Sequence, residues 1–427
     1  MNTAKAQLRT EKILSFEEAL TVVVEHAESV RVAADPVEQV PILASTGRTL
    51  AEDIAADRDF PPFPRATRDG YALRSGDLKL GPVELRVTGE IRAGGTLPHG
   101  FEPLGAGRAI AIMTGAPVPE GADAVVMVEY TERLGDSLRI LKSVSAGENI
   151  VPRGSEARHG AVLIERGSLI EYPQLALAAA VGKSVLNVYP RPRVSILSTG
   201  DEIVAIDRAP ADNQIRNSNS FSLAAQVRAA GGDPVQLPVA PDERRRLREL
   251  IAEGLQSNLL LLSGGVSAGE YDLVEDVLSE FSAEFLFTGV QIQPGKPLVF
   301  GRARVPNQGS SGWRYFFGLP GNPISTMVTF RILASMVVRS LSGARPSPLR
   351  GTKARLAGEV RVKKGLTRFL PTRLLGGWNE AQVELIKWQG SGDMAAFARA
   401  DCLLVVPPDR ERFPAGEWMS VLPLLQN

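Results

Sequence analysis

"LLLLSGGVSAGEYD", Leu259 to Asp272, decides the fold. Four consecutive leucines read as an apolar strand. Ser263, Gly264 and Gly265 break the run, and Leu273, Val274 and Val277 resume it at helical spacing. The turn also poses a chemical question. Helix starts lined by glycine amides receive anions, yet Glu270 and Asp272 stand on the same turn. The two features fit together if something positive lies between the anion and the carboxylates.

The same alternation runs through residues 191–345. "RVSILSTGDE" reads as a strand with a glycine turn, and "SFSLAAQVRAAGG" as a helix closed by glycines. "PVQLPVA" is a strand, "DERRRLRELIAEGLQ" a helix and "NLLLLSGG" a strand. A helix after Glu270, a strand near 285–287, "PLVFG", "YFFGLPG" and the helix "PISTMVTFRILASMVVRSL" complete the set. Strands alternating with helices predict a parallel sheet covered on both faces. Such sheets bind ligands beyond the carboxyl ends of their strands.

Outward from this unit the pattern changes. "SFEEALTVVVEHAESV" opens with Ser15 and Glu18 in capping-box spacing and predicts a helix of three to four turns. Short apolar runs between glycines and prolines, such as "VELRVTGEI", "RAIAIM" and "DAVVMVE", predict a β-rich unit over 61–152. "YPQLALAAAVG" reads as a helix ended by Gly182, and "YPRPR" as a linker. After residue 345 the strands "RLAGEVRV", "QVELIKW" and "CLLVVP" predict a small β domain over 346–427. Residues 1–60 and 153–190 are then a discontinuous helical and linking domain. The expected class is multidomain α/β plus β.

Composition excludes several functions. The chain has 427 residues, with 48 basic and 48 acidic side chains, so no net field draws it to nucleic acid or a membrane surface. The basic run Arg244–Arg246 with Arg248 shares a segment with Leu247, Leu250 and Ile251, as a solvated amphipathic helix does. Cys402 is the single cysteine, and His26, His99 and His159 lie far apart, which leaves no thiol or imidazole set for a transition metal. The first residues lack an apolar signal core, and there is no unbroken run of 18 apolar residues. The cytoplasm is the expected location.

Three turns carry the candidate chemistry: Thr199-Gly200-Asp201-Glu202, Ser263-Gly264-Gly265 with Ser267, and Pro320-Gly321-Asn322-Pro323. A tight strand–helix connection explains any one of them; a parallel sheet places all three on one edge. Ser263, Ser267 and the Gly264 and Gly265 amides offer neutral donors to phosphate or oxyanion oxygens. Pro323 suits the first position of a helix, leaving the Ile324 and Ser325 N–H groups to face an anion. Asp201, Glu202, Asp242, Glu270 and Asp272 are placed to converge there, although a lone Asp after a strand, such as Asp242, is more often a helix cap. Several acids beside an anion cradle suit Mg²⁺, which takes one or two carboxylates plus substrate oxygens. Lys296 in "QPGKP" adds a cation. No nucleophile set and no GxxxxGK[ST] loop is present, so covalent catalysis is not expected.

Taken together, "RDGYA", "MTGAPVP", "STGDE", "SGGVSAGEYD", "QPGKP" and "GLPGNP" resemble the molybdopterin molybdenumtransferase family, MoeA and the matching C-terminal part of gephyrin, over nearly the whole chain. The resemblance implies a MogA-like α/β domain with a β-rich insertion. It implies insertion of molybdate into adenylylated molybdopterin with release of AMP, Mg²⁺ as cofactor, and a homodimer. Its cleft would lie between the α/β domain of one subunit and the β-rich domain of the other. Asp69, Thr114, Glu202, Asp242, Asp272, Pro320 and Pro323 match functional positions. Asp69 and Thr114 would reach across the interface, Glu202 and Asp272 would hold metal, and Lys296 would neutralise transferred charge.

The chain departs from the pattern at Gln293, where many relatives have lysine, at Gly289, where a basic residue is common, and at Arg68, which replaces methionine. Two other readings use the same fold. Adenylylation of molybdopterin is one, although relatives doing that tend to carry a GGTG-type turn where this chain has "SGGVS". A non-catalytic scaffold is the other; buried acids at 69, 202 and 272 would argue against it, because burying an unpaired charge is costly.

Overall fold

Leu259–Ser263 lies at the centre of a six-stranded sheet, as its four leucines require. In chain order the strands are β1 (Arg193–Ser198), β2 (Asp233–Gln236), β3 (Leu259–Ser263), β4 (Glu284–Phe287), β5 (Val299–Arg304) and β6 (Trp313–Leu319). Their spatial order is β2-β1-β3-β6-β5-β4. The computed structural model describes residues 12–30, 37–78, 83–95, 102–265, 273–305, 312–346, 349–377 and 379–424.

The first four strands in space are parallel. β5 and β4 are added antiparallel, a departure from the all-parallel expectation. Apolar content marks a buried strand but carries no direction, and the short connection from β5 to β6 permits a hairpin where a helical crossover would force parallel pairing.

Alternate side chains of β3 serve opposite faces. Leu259 and Leu261 join a core with Leu223 and Val227 of α3 (Ser218–Ala229) and with the C-terminal helical run. That run comprises α6 (Pro323–Thr329), a π-type turn at Phe330–Ala334 and α7 (Ser335–Leu341). Leu260 and Leu262 pack against Leu247, Leu250 and Ile251 of α4 (Arg244–Gly254) and Val274, Val277 and Leu278 of α5 (Leu273–Ser279). Each of the four leucines is fully buried, worth roughly 1.5–3 kcal/mol apiece by transfer. The basic residues of α4 stay outside, with Arg244 and Arg248 both bonded to Glu280.

The run Pro323–Leu341 is long and apolar enough to cross a membrane, a case the search for unbroken apolar stretches misses because it contains Ser, Thr and Arg. Of its apolar window 78% is buried inside the protein, so it is a core helix of this sheet.

α1 (Phe16–Val30) has the expected capping box: the Ser15 N–H donates to Glu18 Oε2 at 2.8 Å, and the Glu18 N–H donates to Ser15 Oγ at 3.2 Å. Its buried face, Phe16, Ala19, Val23 and Ala27, packs with α7 on the α/β sheet and not within the linking region suggested by its place in the chain. The linking region is built around α2 (Tyr172–Ala180) and the antiparallel pair Glu38–Pro41 with Val185–Val188. Tyr189, read as linker, is buried, and Arg48 Nη2 donates to its carbonyl.

The β-rich unit is one six-stranded sheet ordered Ala124–Met127, Gly70–Leu73, Arg108–Ile112, Glu84–Ile91, Ser137–Ile140, Thr131–Leu134. At the C-terminus, Thr367–Leu375, Gln382–Leu385, Thr352–Leu356, Trp418–Pro423 and Cys402–Val406 form a closed ring, because the last strand also pairs with the first. Closure removes the free edges that invite aggregation. Cys402 is buried there, and burial pushes its thiol pKa up, which keeps it inert. One strand comes from outside the ring: Ile292–Gln293 pairs in parallel with Thr367–Arg368. That addition joins the ring to the α/β sheet.

Candidate functional site

The sheet register builds one rim of the site. Ser198 lies opposite Ser263, and Ser263 opposite Leu319, so β1, β3 and β6 end level. The three glycine turns therefore open on the same edge. Backbone bonds knit them together: the Thr199 N–H donates to the Ser263 carbonyl at 3.1 Å, and the Gly264 N–H to the Leu319 carbonyl at 3.3 Å. Gly264 adopts φ +92°, and a Cβ there would stand 2.7 Å from the Thr199 oxygen. Both conformation and space exclude a side chain.

One of the expected donors is already used and another is held away from solvent. The Gly264 amide is committed to Leu319, and the Ser263 hydroxyl is buried and accepts from Asn219 Nδ2 at 2.8 Å, which fixes its place while leaving its own O–H to donate. The second Asn219 bond, to the Gly321 carbonyl at 2.8 Å, ties α3 to the third turn. Sequence reading missed Asn219, although the polar cluster "NSNS" opening a helix marks the place. Beside these bonds, Thr199 Oγ1 and Asn219 Oδ1 are buried without hydrogen-bond partners among the described residues. Buried polar atoms are rarely left so.

At one end of the rim, acids gather. The Asp242 N–H donates to Asp201 Oδ1 at 3.1 Å. The Asp242 carboxyl pKa is raised above the ordinary aspartate value, first by partial desolvation and then by the negative charges of Asp201 and Glu202. The Glu202 carboxylate folds back over Gly200, where any Cβ would collide with it. Asp201, Glu202 and Asp242 thus come together as expected. They are exposed, as is Asp69, so the argument from buried acids does not hold. No three acid, His or Cys side chains are placed as a closed metal site among the described residues. Ser267, Glu270 and Asp272 lie outside the described residues.

A second feature adjoins the third turn. A cleft of about 330 Å³ is lined by the loop Ile292–Pro297, by Pro320, Asn322 and Ser325, and by Leu366, Trp388, Gly390 and Ser391 of the C-terminal ring. Asn322 caps α6 by position, but its side chain makes no capping bond. Pro323 stands at the first helical position as expected. The Ile324 N–H, however, is not free: it donates to the Ser391 carbonyl at 3.1 Å. That bond comes from a segment distant in sequence, which local reading cannot see. Lys296 is exposed and is the only charged residue lining the cleft among the described residues. Its ammonium has no salt-bridge partner among the described residues. Ser325 was expected only through its backbone N–H, and Trp388 and Ser391 were not singled out from sequence, where "GSGD" holds the one hint.

Gln293, one of the departures, faces this cleft and accepts a hydrogen bond from Arg368 Nε at 2.7 Å. Gly289 lies in a strand that pairs with Ile13–Leu14, where a Cβ would stand close to the Ile13 side chain, at 3.1 Å, so a larger residue there needs Ile13 to shift slightly. Arg68 is exposed and, among the described residues, bonds only the neighbouring Thr67 carbonyl.

Asp69 and Thr114 form a pair of their own in the β-rich sheet. Asp69 precedes strand Gly70–Leu73, and Thr114 follows Arg108–Ile112, in which Ile112 lies opposite Gly70. No hydrogen bond or ion pair joins them to the α/β rim within one chain, among the described residues.

Comparison with known proteins gives a consistent picture. Residues 14–182 match the MoeA N-terminal region (domain I and II), residues 195–340 a probable molybdopterin binding domain, and residues 353–424 the MoeA C-terminal region (domain IV). A molybdopterin molybdenumtransferase of Staphylococcus aureus is 30% identical over 392 residues, 91% of either chain. One of Synechocystis is 32% identical over 377 residues, 87% of this chain and 91% of its own. The crystal structure of the molybdopterin biosynthesis MoeA protein from Pyrococcus horikoshii is similar with a TM-score of 0.77 at 28% identity, covering 96% of this chain and 99% of that one.

Proposed function

This chain belongs to the MoeA family of molybdopterin molybdenumtransferases, enzymes of molybdenum cofactor biosynthesis, and on that premise we propose that it inserts molybdate into adenylylated molybdopterin with release of AMP. The observation that carries this reading is Lys296, an ammonium without a salt-bridge partner and the single charge lining the cleft among the described residues. Low-dielectric walls strengthen its attraction for a dianion. Ser325 and Ser391 add polar groups suited to oxyanion oxygens.

The nucleotide-bearing substrate is proposed to lie along the glycine rim, its phosphate toward the Gly265 and Gly321 backbone. The unpartnered Thr199 Oγ1 and Asn219 Oδ1 support a polar ligand at that edge. Gly200, Asp201, Pro320, Asn322 and Pro323 shape the approach.

Mg²⁺ is the proposed metal. The acids fit it chemically: they are hard oxygen donors, and after partial desolvation the charges of Asp201 and Glu202 push the Asp242 pKa further up, a repulsion that a dication relieves. Glu202 and Asp242 would hold the ion, with Asp272 a third candidate from sequence. Bound there, it would neutralise phosphate charge as the phosphoanhydride linkage to AMP is cleaved. The chain's own groups bind and orient. Lys296 holds the oxyanion, Asp201 fixes the Asp242 backbone, and Asp69, held ionised by Thr114, approaches from the partner subunit of a homodimer.

The test is direct: purified protein given adenylylated molybdopterin, Mg²⁺ and molybdate releases AMP, and omission of molybdate stops it. No AMP from the complete mixture, or release indifferent to molybdate, refutes the reading.

A further inference from the structure

The helical run that backs the α/β sheet carries two arginines on one stripe. Arg331 lies in the π-type turn and Arg339 in α7, about two turns further on. Side chains at that spacing share a face, and the wider π-type turn takes up the small lag that two α turns would leave. Ser335 stands between them and is buried. Arg331 Nη2 donates to the Pro423 carbonyl at 3.0 Å, so the stripe faces the last strand of the C-terminal ring. The segment that enters the ring adds a third cation: Leu349 packs against the same core, and Arg350 follows it, exposed.

Arg331 and Arg339 are both half-buried. Among the described residues Arg331 bonds only that neutral carbonyl, and Arg339 has no hydrogen bond or ion pair. Burial lowers the pKa of both guanidinium groups, and the charges of Arg331 and Arg350 press that of Arg339 down further. Other arginine pairs of this chain share an acid: Arg244 and Arg248 flank Glu280, and Arg361 and Arg412 flank Glu359. A cation withdrawn from water with no counter-charge is destabilising, so the exception calls for a charge from outside. We propose that Arg331, Arg339 and Arg350 form an anion site at the junction of the α/β unit and the ring, fitted to a phosphate-class dianion. The guanidinium fork offers paired N–H donors to phosphate oxygens. Chloride, with a single charge, neutralises less of the cluster. None of the three arginines lines the cleft around Lys296. Bound at this junction, the dianion ties the helical run to the segment that enters the ring.

Equilibrium dialysis with inorganic phosphate tests the site, at constant ionic strength set by chloride. The parent is the full-length chain carrying Lys296→Met, so that the cleft does not report. It is expected to hold phosphate. Arg339→Met added to it is expected to weaken binding about tenfold or more, and Arg339→Lys, which keeps the charge and loses the fork, to lie between. Without phosphate, Arg339→Met is expected to melt no lower than the parent, because it removes a charge that nothing neutralises. Phosphate then raises the melting temperature of the parent and not of Arg339→Met. Arg350→Met, a change at an exposed position, is expected to weaken binding about threefold or more through lost charge alone. A parent that holds no phosphate overturns the site. Phosphate held as tightly after Arg339→Met, or after Arg350→Met, overturns it equally.

Discussion

Asp69 Oδ1 accepts two hydrogen bonds from one residue, the Thr114 backbone N–H at 2.6 Å and the Thr114 hydroxyl at 2.8 Å. The backbone bond is the larger cause and the hydroxyl the next in holding the carboxyl below the ordinary aspartate pKa. Both favour the ionised form. Their stabilisation is therefore complete above the unfolded aspartate value and is lost as pH falls through the depressed folded value. Thr114→Val keeps the first bond and removes the second. In that variant the Asp69 carboxyl, followed by carbon NMR, is expected to titrate at higher pH than in wild type. An unmoved titration would show that the hydroxyl contributes nothing.

Asp242 behaves oppositely. Its raised pKa means that the charged form is disfavoured in the fold, so stability declines as pH rises from the unfolded aspartate value through the raised folded value. Asp242→Asn is expected to melt above wild type at neutral pH and to match it at pH below the ordinary carboxylate range. Added Mg²⁺ should narrow the neutral-pH gap by stabilising wild type alone. Calorimetry across pH, with and without the metal, checks both parts.

Lys296 has no side-chain bonding partner among the described residues, so Lys296→Met should change folding stability by no more than about 0.5 kcal/mol, as for an ordinary surface site. Molybdate-dependent AMP release should fall by about a hundredfold, the scale of removing one electrostatic contact from a reacting centre. Lys296→Arg should lie between. Unfolding curves beside turnover assays separate the two effects.

Gly264 combines a left-handed φ with a backbone oxygen where a side chain would begin. Gly264→Ala is expected to destabilise by about 1–3 kcal/mol, read as a lower urea midpoint. Gly135, also at positive φ but with open space around its would-be Cβ, is the control and should lose less on the same change.

Much of the scaffold was readable because it is locally encoded. The Leu259–Leu262 run, the Ser15–Glu18 capping spacing and the three glycine turns each act within a few residues of themselves. What escaped is non-local. The direction of β5 is not written in "VFGRAR". The packing of α1 depends on α7, at the other end of the α/β unit. The Ile324 amide is taken by Ser391, and the Gln293 amide is oriented by Arg368, each across a gap that only the fold closes. The exposure of Asp69 and Glu202 was equally invisible, since residue type does not fix burial for a carboxylate at a strand end.

The Ile292–Gln293 strand belongs by sequence to one body and by pairing to another. A guest resting against Gln293, Ser325 and Ser391 touches both bodies at once, so the free energy of loading is also free energy of fastening. Protease resistance of the C-terminal ring should then rise with occupancy and become a gauge of how full the enzyme is.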